Sequence, residues 1–124
     1  MKNKHNLKLN SLSLVFPIYE EEKRIKKSLK IISNFIKKYR LLDLEIILVN
    51  DGSLDKTDAF INEFIRKLNT KYKKKIKYVY YSRNMGKGFA LRKGVKLASK
   101  KWILTSDIDM SVLPTQYLRW INRN

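Results

Sequence analysis

The sequence contains no cysteine, and its one histidine is His5. Without cysteine the chain can form neither disulfides nor thiolate metal sites, which fits a reducing compartment. A single histidine in a polar N-terminal segment leaves almost nothing from which to build a serine or cysteine hydrolase triad, or a histidine-ligated transition-metal site. Those classes of active site are therefore not expected.

Long apolar runs are also absent. No run approaches the ~20 residues that a membrane-spanning helix requires. The N-terminal stretch "MKNKHNLKLNSLSLVF" begins with positive charge, as a signal peptide does. However, Asn10, Ser11 and Ser13 interrupt any signal-like apolar stretch, and no small-residue cleavage site follows. We expect a cytoplasmic chain that is soluble or peripheral at the cytoplasmic face of a membrane.

What the chain has in excess is positive charge. Its 124 residues carry 28 Lys and Arg against 11 Asp and Glu, a net charge of +17, and 44% of them are hydrophobic. This fits one globular domain over 1–124, with about 1–10 as a flexible N-terminal segment. The charge indicates either an anionic partner (nucleic acid, acidic membrane or phosphorylated substrate) or a compositional bias toward lysine.

Four apolar, β-rich runs alternate with helical patterns. The runs are "LSLVF" (12–16), "LEIILV" (44–49), "IKYVYY" (76–81) and "WILTS" (102–106). Three are near-continuous, which is typical of strands buried on both faces of a parallel sheet. Apolar stripes with helical spacing occur within 25–39, 60–68 and 91–98, Pro114 can open a fourth helix, and the charged run 71–77 predicts a solvated turn. The alternation predicts a Rossmann-like α/β domain, a mostly parallel sheet with helices on both faces.

The segments that follow the four predicted strands are all polar and rich in turn residues. They read "PIYEEEKR", "NDGSLDKT", "SRNMGKG" and "DIDMS". In open parallel sheets, ligands bind beyond the carboxyl ends of the strands. The four loops therefore predict a ligand site at one edge of the sheet.

The last loop carries two aspartates, Asp107 and Asp109, which point to the same side if the strand continues. Two neighbouring carboxylates repel each other unless a cation lies beside them. Oxygen-only ligation suits Mg²⁺ or Mn²⁺, which usually takes one or two carboxylates together with substrate phosphates. The alternative is that these aspartates only cap a turn.

The other loops offer groups that could bind a nucleotide. Asp51-Gly52 predicts a tight turn, and Ser53 or Asp55 can cap the next helix. Asp51 itself could accept hydrogen bonds from a nucleobase. The two glycines around Lys87 allow the backbone to approach a ligand, although neither a Walker A loop nor a dinucleotide fingerprint is present. Tyr19 could stack on a base or pack at the rim.

In this order and spacing, "FPIYEEEKR", "LVNDGSLDKT", "NMGKGFALRKG" and "SDIDMS" resemble the N-terminal half of a family 2 glycosyltransferase, of the dolichyl-phosphate glucosyltransferase and polyprenyl-phosphate sugar-transferase type. The resemblance covers about residues 12–116. It implies a GT-A fold, a nucleotide-diphosphate sugar such as UDP-glucose, and a divalent metal, Mg²⁺ or Mn²⁺. It also implies a lipid-phosphate or glycan acceptor.

The resemblance assigns the nucleoside to the first two loops. Pro17, Tyr19 and Glu21 would line the nucleoside pocket, and Asp51, followed by Gly52, would hold the base.

The resemblance assigns the phosphates to the last two loops. Asp107 and Asp109 would be the catalytic aspartates that meet the metal and the diphosphate, and Lys87 would lie near the phosphates or the acceptor. The chain departs from the family pattern at Glu20, where asparagine is usual, and at Ser111, where some relatives supply a further metal ligand.

The predicted function is metal-dependent transfer of a sugar, glucose by resemblance, from UDP-glucose to a polyprenyl or dolichyl phosphate or another acceptor. Two alternatives stay open. Family members usually continue well beyond the Asp-x-Asp loop, so the chain is expected to be truncated and could bind a nucleotide sugar without transferring it. A basic nucleic-acid-binding module would explain the charge but gives Asp107 and Asp109 no role, so no nucleic acid partner is expected. The basic surface predicts peripheral contact with an anionic membrane.

Overall fold

The computed structural model describes residues 10–123, and within them a four-stranded, fully parallel sheet carries helices on both faces. The sheet order is β3-β2-β1-β4. The strands are β1 (Ser11–Ile18), β2 (Asp43–Asp51), β3 (Ile76–Tyr81) and β4 (Trp102–Thr105). The helices are α1 (Ile25–Lys38), α2 (Thr57–Lys67), α3 (Thr70–Lys73), α4 (Lys87–Leu97) and α5 (Pro114–Asn122). The predicted α/β architecture is confirmed, and the predicted segment 1–10 lies almost wholly outside the described residues.

One local prediction is partly wrong. The run 71–77 was predicted as a turn, but its first residues belong to α3, a single helical turn, and β3 begins at Ile76. Asn69 caps α3 by accepting a hydrogen bond from the Lys71 backbone N–H at 3.1 Å. A side-chain cap of this kind stabilises one turn of helix even where lysines dominate the sequence.

The two central strands, β1 and β2, carry the core because each is covered on both faces. On one face Leu12, Leu14 and Phe16 pack with apolar residues of α1, α2 and α5. On the other face Val15 and its neighbours in β2 pack against Ala90 of α4. This double burial is why both strands read as continuous apolar runs.

At the amino ends of the strands, a buried glutamate joins four parts of the chain. Glu45 of β2 accepts hydrogen bonds from Ser13 Oγ at 2.5 Å and from the Ser99 backbone N–H at 2.6 Å, and it pairs with Lys77 Nζ at 2.9 Å. Burial by itself raises the pKa of Glu45, but these three partners outweigh burial and lower the pKa to about 2. The network fixes the α4–β4 connection to the sheet.

Among the residues that the structure describes, no helix combines the length and apolarity needed to span a membrane.

Candidate active site

Beyond the carboxyl ends of the strands, the loops after β1, β2, β3 and β4 enclose an open cavity of about 500 Å³. The cavity is lined by Pro17, Ile18, Tyr19, Glu21, Asp51, Asn84, Gly86, Lys87, Ala90, Asp107, Ile108 and Asp109. Every residue predicted for the site lies in this lining except Gly52. Parallel strands bring their carboxyl ends to one edge, so loops far apart in the sequence converge there.

Asp107 and Asp109 both reach the cavity because the residues between and after them are anchored. Ile108 and Met110 are buried in the core, while the two aspartates are exposed. The Ser106 backbone N–H donates to the Val15 carbonyl at 2.9 Å, which extends the pairing with β1 beyond the end of β4. The alternation of buried apolar and exposed acidic residues holds the two carboxylates on the same side.

The first residue of α4 is a lysine that contacts one member of this acidic pair. Lys87 Nζ lies 2.9 Å from Asp107 Oδ1, and both side chains are more than half exposed, at 64% and 55%. The hydrogen bond to Asp107 raises the pKa of Lys87, so Lys87 is a cation at neutral pH. An exposed pair of this kind contributes little to stability, so both partners can exchange their contact for a ligand.

Asp107 and Asp109 are too few to bind a metal tightly by themselves. Within residues 10–123 no group of three or more His, Cys, Asp or Glu side chains is placed to hold a metal ion. Mg²⁺ and Mn²⁺ commonly bind through one or two carboxylates and complete their shell with substrate phosphates and water. The pair therefore fits a divalent metal that arrives with a diphosphate. Ser111 donates its backbone N–H to Asp109 Oδ1 at 3.0 Å, which lowers the pKa of Asp109.

Asp51 is buried, and donors of the protein itself surround its carboxylate. Oδ1 accepts hydrogen bonds from Tyr81 Oη at 2.6 Å and from the Met85 N–H at 2.9 Å. Oδ2 accepts from Asn84 Nδ2 and from the Gly86 N–H, both at 2.9 Å. A carboxylate has about four acceptor sites, so all of them are used. In this conformation Asp51 organises the β3–α4 loop, and its assignment to the nucleobase stays a prediction.

Gly52 is not part of the cavity lining and lies against the same loop. Its φ is +71°, and a Cβ at this position would lie 2.3 Å from the Asn84 backbone nitrogen. Only glycine permits this backbone conformation and this close approach together. Gly52 therefore sets the distance between the β2–α2 and β3–α4 loops.

The β1–α1 loop is held by the β2–α2 loop. The Glu20 N–H donates to Ser53 Oγ at 2.8 Å, and the Glu21 N–H donates to Thr57 Oγ1 at 2.9 Å. Of the two capping candidates, Asp55 accepts from the Thr57 N–H at 3.0 Å in the turn before α2, whose N-cap position is Lys56 and has no side-chain cap. Ser53 holds the neighbouring loop instead. Together these contacts fix the position of the predicted nucleoside pocket.

Three residues of the β1–α1 loop bear on ligand recognition. Tyr19 is 46% exposed and free to stack on a planar ligand. Glu20 has φ +48°, in the left-handed region that asparagine adopts more readily than glutamate. This gives a backbone reason for the asparagine that the family usually has at this position. Glu21 forms a bidentate pair with Arg24 at 2.8 Å for both contacts.

Sequence reasoning gave no role to four lining residues, Ile18, Asn84, Ala90 and Ile108, and noted a fifth, Gly86, only as one of the glycines around Lys87. The signal for Asn84 was present, because an asparagine two residues before Gly86 is suited to organise a turn. Ile18, Ala90 and Ile108 are apolar residues whose place in a cavity wall depends on how α4 and the loops pack.

The fold and the cavity define an α/β protein of the GT-A type. The chain belongs to glycosyl transferase family 2, whose family model matches residues 13–123. The predicted family and fold are both confirmed.

Named relatives agree with this family. The chain is 34% identical over 102 residues to a dolichyl-phosphate beta-glucosyltransferase of Mus musculus, covering 79% of this chain and 31% of the relative. It is 29% identical over 113 residues to a bactoprenol glucosyl transferase of Shigella phage SfV, covering 88% of this chain and 35% of the relative. The chain thus spans about a third of the length of these curated relatives.

A solved structure shares the fold. A mannosyltransferase from Pyrobaculum calidifontis, in complex with GDP-Man and Mn²⁺, superposes with a TM-score of 0.70 at 19% identity. The match covers 88% of this chain and 30% of that one.

Proposed function

We propose that the cavity binds a nucleotide-diphosphate sugar together with Mg²⁺ or Mn²⁺, and that the chain acts in transfer of a hexose, glucose in the first instance, to a polyprenyl or dolichyl phosphate. The observation that carries the proposal is the convergence of Asp107, Asp109 and Lys87 in one cavity with Tyr19 and Pro17. The names of the glucosyltransferase relatives support the sugar and the lipid acceptor. The GDP-Man and Mn²⁺ complex of a protein with the same fold supports the sugar donor and the metal.

The residues divide the proposed sugar donor between two sides of the cavity. Tyr19 offers an exposed ring, and the Pro17 and Ile18 segment offers an apolar wall for the nucleoside. Lys87 offers a cation for the diphosphate, and Asp107 and Asp109 would hold the metal. A metal held by these two aspartates would supply positive charge to stabilise the negative charge that develops on the leaving diphosphate.

The acceptor requires little from this chain's acids and bases. A phosphate monoester has its second pKa near ~6, so it is already anionic at neutral pH. Such a nucleophile needs no strong general base, and among the described residues that line the cavity there is neither histidine nor cysteine. We further propose that the protein works at the cytoplasmic face of an anionic membrane, where such an acceptor is presented.

Calorimetric titration of UDP and of GDP, each with Mn²⁺ and with a chelator, tests the proposal. We expect binding only with the metal. Asp107→Asn and Asp109→Asn should each lower the affinity about tenfold or more, because a charge-assisted contact contributes about 1.5–3 kcal/mol. Asp43→Asn is the matched control, since Asp43 is a comparably exposed carboxylate, at 61%, at the other end of the sheet. If the nucleotides bind equally well with Mn²⁺ and with chelator, or if Asp109→Asn binds them as the unaltered chain does, the metal role is refuted.

Binding without transfer is the competing function. Labelled glucose transfer from UDP-glucose to polyprenyl phosphate in detergent, with Mn²⁺ present, separates the two. Metal-dependent UDP binding with turnover that Asp109→Asn abolishes supports transfer. Metal-dependent binding with no turnover would assign the chain to nucleotide-sugar binding alone.

A further inference from the structure

Helix α4 presents basic side chains on the side away from the sheet, with no acidic residue beside them. Ala90 and Gly94 are buried against the strands, whereas Arg92, Lys93 and Lys96 are exposed. No aspartate or glutamate occurs anywhere in 82–106. In the part of the chain that the structure describes, none of these three cations forms an ion pair.

Exposed apolar side chains occur on α4 and in the loop before it. Met85, Val95 and Leu97 are 47%, 41% and 37% exposed. We define the α4 surface as Met85, Arg92, Lys93, Val95, Lys96 and Leu97. Single exposed apolar residues are ordinary, but their combination with unpaired cations on one short helix and the loop before it is the pattern of an interfacial surface.

Helix α1, on the opposite face of the sheet, provides a comparison within the same molecule. It is equally basic, with exposed Lys27, Lys30, Lys37 and Lys38 and no acidic residue. Among the described residues of α1, no large apolar side chain is exposed. A purely basic face suits any polyanion, whereas a mixed basic and apolar face gains further from insertion into a headgroup layer.

We propose that the α4 surface docks the protein on an anionic lipid bilayer. Each lysine near an anionic leaflet contributes about fivefold in affinity. The apolar side chains Met85, Val95 and Leu97 add contact with the acyl boundary. Helix α4 begins at Lys87, which lines the cavity, and its 11 residues span about 16 Å. Docking of α4 therefore holds the cavity within about 16 Å of the lipid. The value of that proximity for a lipid-phosphate acceptor rests on the proposed function; the docking itself does not.

Vesicle co-sedimentation of the 124-residue chain, without nucleotide or metal, tests the proposal. The vesicles are equal parts phosphatidylglycerol and phosphatidylcholine, with pure phosphatidylcholine as the neutral reference. Lys93→Glu with Lys96→Glu should weaken binding to the anionic vesicles by more than about thirtyfold, since two cations are lost and two anions gained. Adding Val95→Ser to this double variant should weaken binding to the anionic vesicles further, although the net charge does not change.

The matched control is Lys27→Glu with Lys30→Glu on α1, which has the same spacing and the same change in net charge. We expect this control to retain most of the binding. Equal losses from the α1 and α4 variants would overturn the proposal, because net charge alone would then account for binding. Absence of binding to anionic vesicles would overturn it too. So would α4-dependent binding of duplex DNA that exceeds binding to the vesicles. Calorimetric UDP binding should be unchanged in the α4 variant, so the two proposals can fail separately.

Discussion

At the scale of single residues, Asp51 has the contacts of a structural anchor. Its four hydrogen-bond partners include two backbone N–H groups of the β3–α4 loop, from Met85 and Gly86. That loop leads directly into Lys87, which contacts Asp107. The carboxylate of Asp51 therefore controls where Lys87 lies in the cavity. Lys87 lies on the side of the cavity proposed to bind the diphosphate. A residue that positions Lys87 should therefore affect the binding of every ligand that contains phosphates, whatever its base.

We predict that Asp51→Asn weakens binding of UDP and of inorganic pyrophosphate with Mn²⁺ to a similar extent. The amide of asparagine places N–H donors where the loop already provides donors, so the loop loses its anchor. The measurement is calorimetric titration of both ligands. Tyr81→Phe, which removes one of the four donors, should have a smaller effect in the same direction. If pyrophosphate binding is intact while UDP binding is lost, Asp51 recognises the base, as the sequence predicted.

At the scale of secondary structure, α4 lies on its own face of the sheet and approaches β1 closely. The approach occurs at Gly94, where a Cβ would lie 2.4 Å from Val15 Cγ1. Val15 is fully buried in a strand that is paired on both sides, so it cannot move away easily. The position of Lys87 at the cavity therefore depends on a glycine two turns further along the same helix.

We predict that Gly94→Ala lowers the free energy of unfolding by about 1–3 kcal/mol, the usual cost of overpacking a core. Denaturant unfolding followed by circular dichroism measures it. Gly88→Ala on the same helix is the control, because a Cβ there meets no atom within 4 Å. The control should leave stability unchanged or raise it by up to about 1 kcal/mol through helix propensity. A stable Gly94→Ala variant would show that α4 can shift away from the sheet at little cost.

At the scale of the whole molecule, both ends of the sheet hold carboxylates, and these differ in burial and hydrogen bonding. The carboxyl end carries exposed aspartates in an open cavity, and the amino end carries the buried, fully bonded Glu45. The charged form of Glu45 is stabilised because Ser13, Ser99 and Lys77 all donate to it. In the unfolded chain these partners are lost, and the pKa returns to about 4.5.

We predict a loss of stability in acid that Glu45 causes. Its folded pKa of about 2 lies below the unfolded value of 4.5, so its contribution is complete above pH 4.5 and is lost as the pH falls toward 2. The contribution should be on the order of 3 kcal/mol, since one unit of pKa corresponds to about 1.4 kcal/mol. Urea unfolding at a series of pH values measures it.

Two variants separate Glu45 from the general effect of acid. Glu45→Gln should lower stability at neutral pH and flatten the pH dependence between 4.5 and 2. Glu63→Gln removes a glutamate that is 46% exposed and forms a surface ion pair with Lys67, so it should leave the profile nearly unchanged. A profile that stays steep in Glu45→Gln would contradict the assignment.

The sequence by itself determined the features that depend on local periodicity. Buried strands appear in the sequence as apolar runs, and helices appear as apolar residues at helical spacing. Because the carboxyl ends of parallel strands lie at one edge of the sheet, these patterns were enough to predict where the four loops lie. The spacing of Asp107 and Asp109 also sufficed to put both on the same side, because a side chain alternates with its neighbour.

Only the tertiary structure decided which residues contact one another across the sheet. The order β3-β2-β1-β4 makes β1 and β2 central and leaves α4 on its own face, and no local pattern specifies that order. The sequence showed an aspartate at the end of β2, but its four donors lie 30 or more residues further along the chain. Glu45 likewise meets Ser13 and Ser99 across 32 and 54 residues. Hydrogen bonding of a buried carboxylate is set by such distant partners, so its role is fixed only when the chain has folded.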